Sequence, residues 1–200
     1  REGNTDGVIF IKEVSAQMIK DIEARGVPVV VIDHFPKMNS VNSIEIDNFR
    51  GGQLATEHLA ALGHKQIACL FAEVERPSIK GRVDGYCDAM EQAGLNFSQR
   101  NNLCECTDLT FEAGFDRALK ALGKKRRPTA FVCANDEHAA GAMRAAHKIG
   151  LNVRRDLSVV GFDNITMGNY TDPALTTVGA DKGGQGAHAA GRPVGHGVWP

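Results

Sequence analysis

Two hundred residues with 42% hydrophobic and 24% charged side chains can bury a sizeable core, which excludes a disordered chain. No apolar stretch approaches the roughly 20 residues a membrane-spanning helix needs. A formal net charge of −1 gives no bulk attraction for nucleic acid or an anionic membrane.

Strand and helix patterns alternate along the chain. Residues 7–11 read as a strand, 14–25 as a helix, and 28–33, with Val29-Val30-Val31-Ile32, as a buried strand. A polar loop runs through Ile44 and Ile46 to Asp47. Leu54, Ala55, Leu59 and Leu62 then repeat at helical spacing over 49–62, ended by Gly63. Residues 66–72 predict a strand, 81–93 a helix stopped by Gly94, 102–106 a weak strand, and 110–122 a helix stopped by Gly123. Strand 129–134, helix 137–149 with Gly150 as its stop, and strand 157–162 repeat the theme. Strands separated by helices of this length imply βαβ units and a parallel sheet. After Leu175-Thr176-Thr177-Val178 the text becomes glycine-rich. Residues 182–190 suit a poor helix, and 191–200 read as loop.

Two apolar runs end in polar side chains, Asn135-Asp136 and Asp163-Asn164. In open α/β sheets ligands bind outside the carboxyl ends of the strands, so these ends, with Arg82 in Ser78-Ile79-Lys80-Gly81-Arg82, suggest a ligand cleft. Asp163 and Asn135 taken singly also suit helix caps.

Several segments together resemble the effector-binding core of LacI/GalR-type transcription regulators, whose fold is shared with type I periplasmic sugar-binding proteins. They include Asp6-Gly7-Val8-Ile9, Val29-Val30-Val31-Ile32-Asp33, Asp47-Asn48 followed by Gly51-Gly52, and Leu62-Gly63-His64-Lys65-Gln66-Ile67. Arg82 with Gly85-Tyr86, Ala134-Asn135-Asp136, Ser158-Val159-Val160-Gly161-Phe162-Asp163 and Leu175-Thr176-Thr177-Val178 follow in order. The Leu-Gly-His-Lys-Gln-Ile segment favours the regulators over the transport proteins.

The resemblance implies a periplasmic-binding-protein-like type I α/β fold of two parallel-sheet lobes, with the first lobe incomplete and the effector between them. The chain would cross near residues 72–73, after a partial lobe 1–72, and return near 178–181 after a lobe 73–178. Ligand positions carry over to Asp47, Arg82, Asn135 and Asp163, with Ser78 and Leu109 lining the pocket. The effector expected is a sugar or sugar derivative: carboxylates accept from its hydroxyls while Arg and Asn donate back. Many relatives stack an aromatic ring where this chain has Leu109, and Phe111 stands close by. The resemblance also implies a homodimer, with 137–149 and 165–172 as contact surfaces, and no cofactor.

Relatives carry a helix-turn-helix headpiece and two further strand–helix units ahead of the first segment matched here. The expectation is therefore a piece of a longer protein, starting at Arg1, that does not itself read an operator and whose first lobe has about three strands and an open edge. Relatives also continue past the Leu-Thr-Thr-Val strand into an amphipathic helix. The glycine-rich text 179–200 departs from this, as a frame error or an engineered end would.

Other groups read as structural. Five cysteines, an odd number, suit free thiols in a reducing, cytoplasmic setting. Cys104-Glu105-Cys106 lacks a partner at zinc-like spacing. His64 is expected at a helix-to-strand corner, bonded to backbone, and Asp33-His34 is read the same way. Lys124-Lys125-Arg126-Arg127 is expected to be a solvated loop. Gly179 to Gly186 lacks the Gly-Lys-Ser/Thr of a phosphate loop, and no Gly-x-Ser-x-Gly occurs. A transport receptor of the same fold and a small sugar-acting enzyme remain the competing classes. The first would need an export signal, the second a catalytic constellation.

Overall fold

The chain was analysed as a computed structural model, which describes residues 5–11, 14–32, 41–95, 98, 102–179 and 197–199. Asp33-His34, the helix expected over 182–190 and most of the glycine-rich text after Gly179 lie outside the described residues. The chain divides in sequence between Ile46 and Asp47 into a smaller and a larger unit.

In the smaller unit β1 (Val8–Ile11), β2 (Val29–Ile32) and β3 (Asn42–Ile44) form a parallel sheet in the order β1-β2-β3. Helix α1 (Ala16–Glu23) is started by Ser15, whose hydroxyl accepts from Met18 N, and buries Ile19 against Val29, Val31 and Val41. Strand β3 falls where a loop was expected. Asn42-Ser43-Ile44 has no apolar run, and its strand character comes from pairing with Val30 to Ile32. On β1, Ile9 and Ile11 are 49% and 70% exposed, in keeping with an open sheet face among the described residues.

The larger unit contains α2 (Asn48–Ala61), β4 (Ile67–Phe71), α3 (Pro77–Gln92), β5 (Leu103–Glu105), α4 (Phe111–Leu122), β6 (Ala130–Cys133), α5 (Asp136–Lys148), β7 (Ser158–Phe162) and β8 (Thr176–Gly179). Its sheet runs β5-β4-β6-β7-β8-β9, parallel throughout except for the antiparallel β8–β9 pair. Strand β9 (Gly197–Trp199) replaces part of the expected tail loop, because β8 would otherwise leave a ladder edge unpaired. Since β4 pairs with both β5 and β6, it belongs to this unit. The division between the units thus falls earlier than the expected crossing near 72–73.

Helix α3 begins four residues before the expected start at 81, because Pro77 supplies the fixed φ that favours the first helical turn. Leu70, Cys104 and Cys133 share one face of the sheet and pack with Ala118, Ala121, Ala142 and Ala146 of α4 and α5. Helices α2 and α3 cover the opposite face.

The approach of α2 to α3 depends on two glycines. A Cβ on Gly52 would stand 2.1 Å from the Arg82 carbonyl oxygen, and one on Gly85 2.0 Å from that of Phe49. These are backbone atoms, which a rotamer change cannot move aside. Overpacking of this kind costs about 1–3 kcal/mol or more. Gly52→Ala and Gly85→Ala should each lower the unfolding free energy by an amount in that range, measured by urea denaturation followed by circular dichroism. Unchanged midpoints would show that the two helices separate freely.

Candidate functional site

From β4 the chain steps outward to β5 and then returns to the other side of β4 at β6. Such a reversal leaves a crevice at the carboxyl ends of the two strands that flank it. Arg82, one turn beyond the start of α3, sends its side chain into this region. Its Nη1 donates to the carbonyl oxygen of Ala134, just past β6. Nη2 donates to Asp163 Oδ1, just past β7, at 3.3 Å, and Nε donates to Asn48 Oδ1 at 2.9 Å. The Phe162 ring lies 3.6 Å from Cζ and covers one face of the guanidinium.

The side chains of Arg82 and Asp163 are 11% and 33% exposed. A desolvated guanidinium is tolerated only when its N–H groups are bonded, and each of its three nitrogens has a partner here. Asp163 meets Arg82 through Oδ1, so a partly exposed carboxylate stands beside a donor fork.

Asp163 and Asn164 both hold positive φ, 102° and 48°. Neither residue favours that region as glycine does, so the turn must be held by its surroundings. Asp163 N donates to Val178 O at 3.0 Å, and Ile165 N donates to Asp136 Oδ2 at 2.8 Å.

Asn135 does two jobs. Its Oδ1 accepts from His138 N and starts α5, while Nδ2 donates to the Leu109 carbonyl, both at 2.8 Å. His138 reinforces the same loop: it is fully buried, and Nε2 lies 2.7 Å from Asp108 O. A carbonyl only accepts, so Nε2 carries the proton. Thr110 in turn starts α4 by accepting from Ala113 N.

Of the six sequence-derived positions, Arg82 with Asp163 and Leu109 with Asn135 come into direct contact. Ser78 lies one helical turn before Arg82 and is half-buried. Asp47 is exposed and starts α2, accepting from Arg50 N at 2.8 Å, and its neighbour Asn48 is the residue bonded to Arg82. Sequence reasoning missed Asn48 and Phe162 as functional groups. The signal available was their position inside the Asp47-Asn48 and Phe162-Asp163 segments. Leu109 meets Asn135 through its carbonyl, a contact that any side chain at this position could make.

His64 lies elsewhere, at the amino ends of the strands. Its expected backbone partners are replaced by hydroxyls: Nδ1 is 3.0 Å from Thr129 Oγ1 and Nε2 2.9 Å from Ser158 Oγ. The ring thereby joins the starts of β6 and β7. Cys104 and Cys106 are buried at β5, and the described residues contain no cluster of three or more His, Cys, Asp or Glu side chains arranged to hold a metal ion.

Burial pushes both His64 and His138 below the ordinary histidine value of 6.5. Below that pH the unfolded chain binds protons that the folded chain refuses, so stability is lost as pH falls. The urea midpoint should therefore drop between pH 7 and pH 5, with a shallower drop in His64→Gln. An equal drop in the variant would show that His64 titrates alike in both states.

Residues 56–192 match the periplasmic binding protein-like domain family. The chain is 32% identical over 199 residues to the transcriptional regulator DegA of Bacillus subtilis, covering 96% of this chain and 58% of that protein. A LacI-family regulatory protein from Chloroflexus aggregans superposes with a TM-score of 0.80 at 29% identity, covering 96% of this chain and 71% of that one. A LacI-family regulator from Enterococcus faecium with bound ribose superposes with a TM-score of 0.76 at 29% identity, over 88% and 65% of the two chains. The chain spans little more than half the length of the curated relatives it matches. It belongs to the periplasmic binding protein-like domain family, and the relatives and neighbours it resembles here are transcription regulators, the two solved structures being of the LacI family.

Proposed function

We propose that this chain is the effector-sensing domain of a transcription regulator and that its effector is a small polyhydroxy compound, a sugar or sugar derivative. The observation that carries the reading is the Arg82–Asp163 pair: a charged donor fork and a carboxylate side by side at the carboxyl ends of the strands. Vicinal hydroxyls each donate and accept, so one hydroxyl donates a hydrogen bond to Asp163 while the next accepts one from Arg82. Asn135, Ser78, Asp47 and Leu109 complete the proposed contact set. The bound ribose of the Enterococcus faecium neighbour supports this ligand class. The relatives described above are regulators, which favours sensing over transport or turnover.

In the whole regulator, an effector that binds one arrangement of the domain better than another shifts the population toward it, and that difference is what reaches the DNA-reading part. Two copies would associate through α5 and segment 165–172, where Tyr170 is 82% exposed. No described helix is long and apolar enough to cross a membrane.

Calorimetric titration of the purified chain with ribose and a panel of pentoses and hexoses tests the site. Asp163→Asn removes a charge-assisted acceptor worth about 1.5–3 kcal/mol and should weaken binding about 10- to 100-fold. Arg82→Lys should do likewise, because an ammonium lacks the fork that reaches several partners at once. Affinity unchanged in both variants would remove the site from this crevice.

A further inference from the structure

The Lys124-Lys125-Arg126-Arg127 run leaves α4 and leads through Pro128 into β6, at the end of the sheet opposite Arg82 and Asp163. It borders a depression of about 480 Å³ whose lining includes Lys65, Lys124, Arg126 and Arg127 together with Ser98 and Asn102. No Asp or Glu lines it. None of these four cations forms an ion pair among the described residues. Yet the protein as a whole carries a formal net charge of −1, so this positive cluster is a local feature.

The floor is fixed by polar bonding. Asn102 Nδ2 donates to Ile67 O at 2.7 Å, and Asn102 Oδ1 accepts from Ser98 N at 2.9 Å. One carboxylate stands in the neighbourhood, Asp156: Arg155 Nη2 donates to it at 3.0 Å, and it also lies within electrostatic reach of Arg127, so it offsets part of the positive charge from outside the depression. Four like charges around one concavity repel one another unless an anion neutralises them. Two guanidinium forks and two ammonium groups fit phosphoryl oxygens in particular, since the forks bind them in pairs. The volume lies within the usual range of small-molecule pockets, about 300–1,000 Å³, larger than one phosphate fills.

We infer that the larger unit carries a second ligand site here, for a small molecule bearing two or more phosphoryl groups. It stands apart from the proposed effector site by the length of the strands between them. The inference does not rest on the effector reading, and a failure of either leaves the other intact.

Pyrophosphate is the probe, titrated calorimetrically into the whole 200-residue chain at low salt. Saturable binding is expected, weaker for sulfate, and reduced at least about 10-fold in the double variant Arg126→Gln, Arg127→Gln. Lys124→Gln should weaken it further, while Asp163→Asn should leave it unchanged. These are surface charges, so circular dichroism and the urea midpoint should match those of the parent. No saturable binding up to about 10 mM would overturn the site, that being too weak for specific recognition. Equal affinity in the double variant, or equal affinity for sulfate and pyrophosphate, would also overturn it. Tighter binding of a mixed-sequence DNA duplex than of pyrophosphate would replace it with a nucleic-acid contact.

Discussion

The geometry around the crevice depends on one buried carboxylate. Asp136 is 1% exposed; its Oδ1 accepts from Thr177 Oγ1 at 2.6 Å and its Oδ2 from Ile165 N at 2.8 Å. One side chain thus ties the start of α5 to β8 and to the turn after β7. Its place in the first turn of α5 sets the charge against the positive end of the helix dipole. Room for it exists only because residue 161 is glycine: a Cβ there would stand 2.2 Å from Asp136 Oδ1. The positive φ values of Asp163 and Asn164 persist because this anchoring over-determines the turn.

Arg82 poses the complementary problem, a cation brought into the protein and needing its hydrogen bonds met. Its partners come from three directions: Asn48 at the head of α2, Ala134 past β6 and Asp163 past β7. Only a close approach of α2 to α3 allows the first, and the bare backbones at Gly52 and Gly85 permit that approach. Helix packing and site electrostatics are therefore one constraint seen from two sides. A side chain that wedged the helices apart would strip a partner from a desolvated guanidinium, which costs more than the lost packing alone.

Much of this was legible in the sequence. Alternating apolar runs and helical spacings located β1, β2 and the elements from α2 to β8, because each buries an apolar stripe of its own. Asp163 and Asn135 stood out as polar residues closing apolar runs, and Arg82 followed from the family spacing. What escaped notice depends on contacts between distant segments. Strand β3 is a polar tripeptide held by its neighbour, and β9 is a strand by virtue of β8. Asn48 reads as an ordinary first-turn residue and Phe162 as core, and only the folded chain sets them against a guanidinium. His64 was expected on backbone because nothing local shows that Thr129 and Ser158, far along the chain, supply hydroxyls to both ring nitrogens.

The cysteines add a different kind of information. Cys69, Cys104, Cys106 and Cys133 are buried on or beside neighbouring strands of the larger sheet, and burial pushes each thiol up, Cys106 to about 12. Thiolate is the reactive form, so in the closed sheet these sulfurs are chemically silent. Alkylation at these positions must wait for strands β4 to β6 to part. The rate at which these four thiols, as distinct from the half-buried Cys87, take up a reagent is then a clock for the opening of the core, and ligand occupancy that steadies the sheet slows that clock without touching a single sulfur.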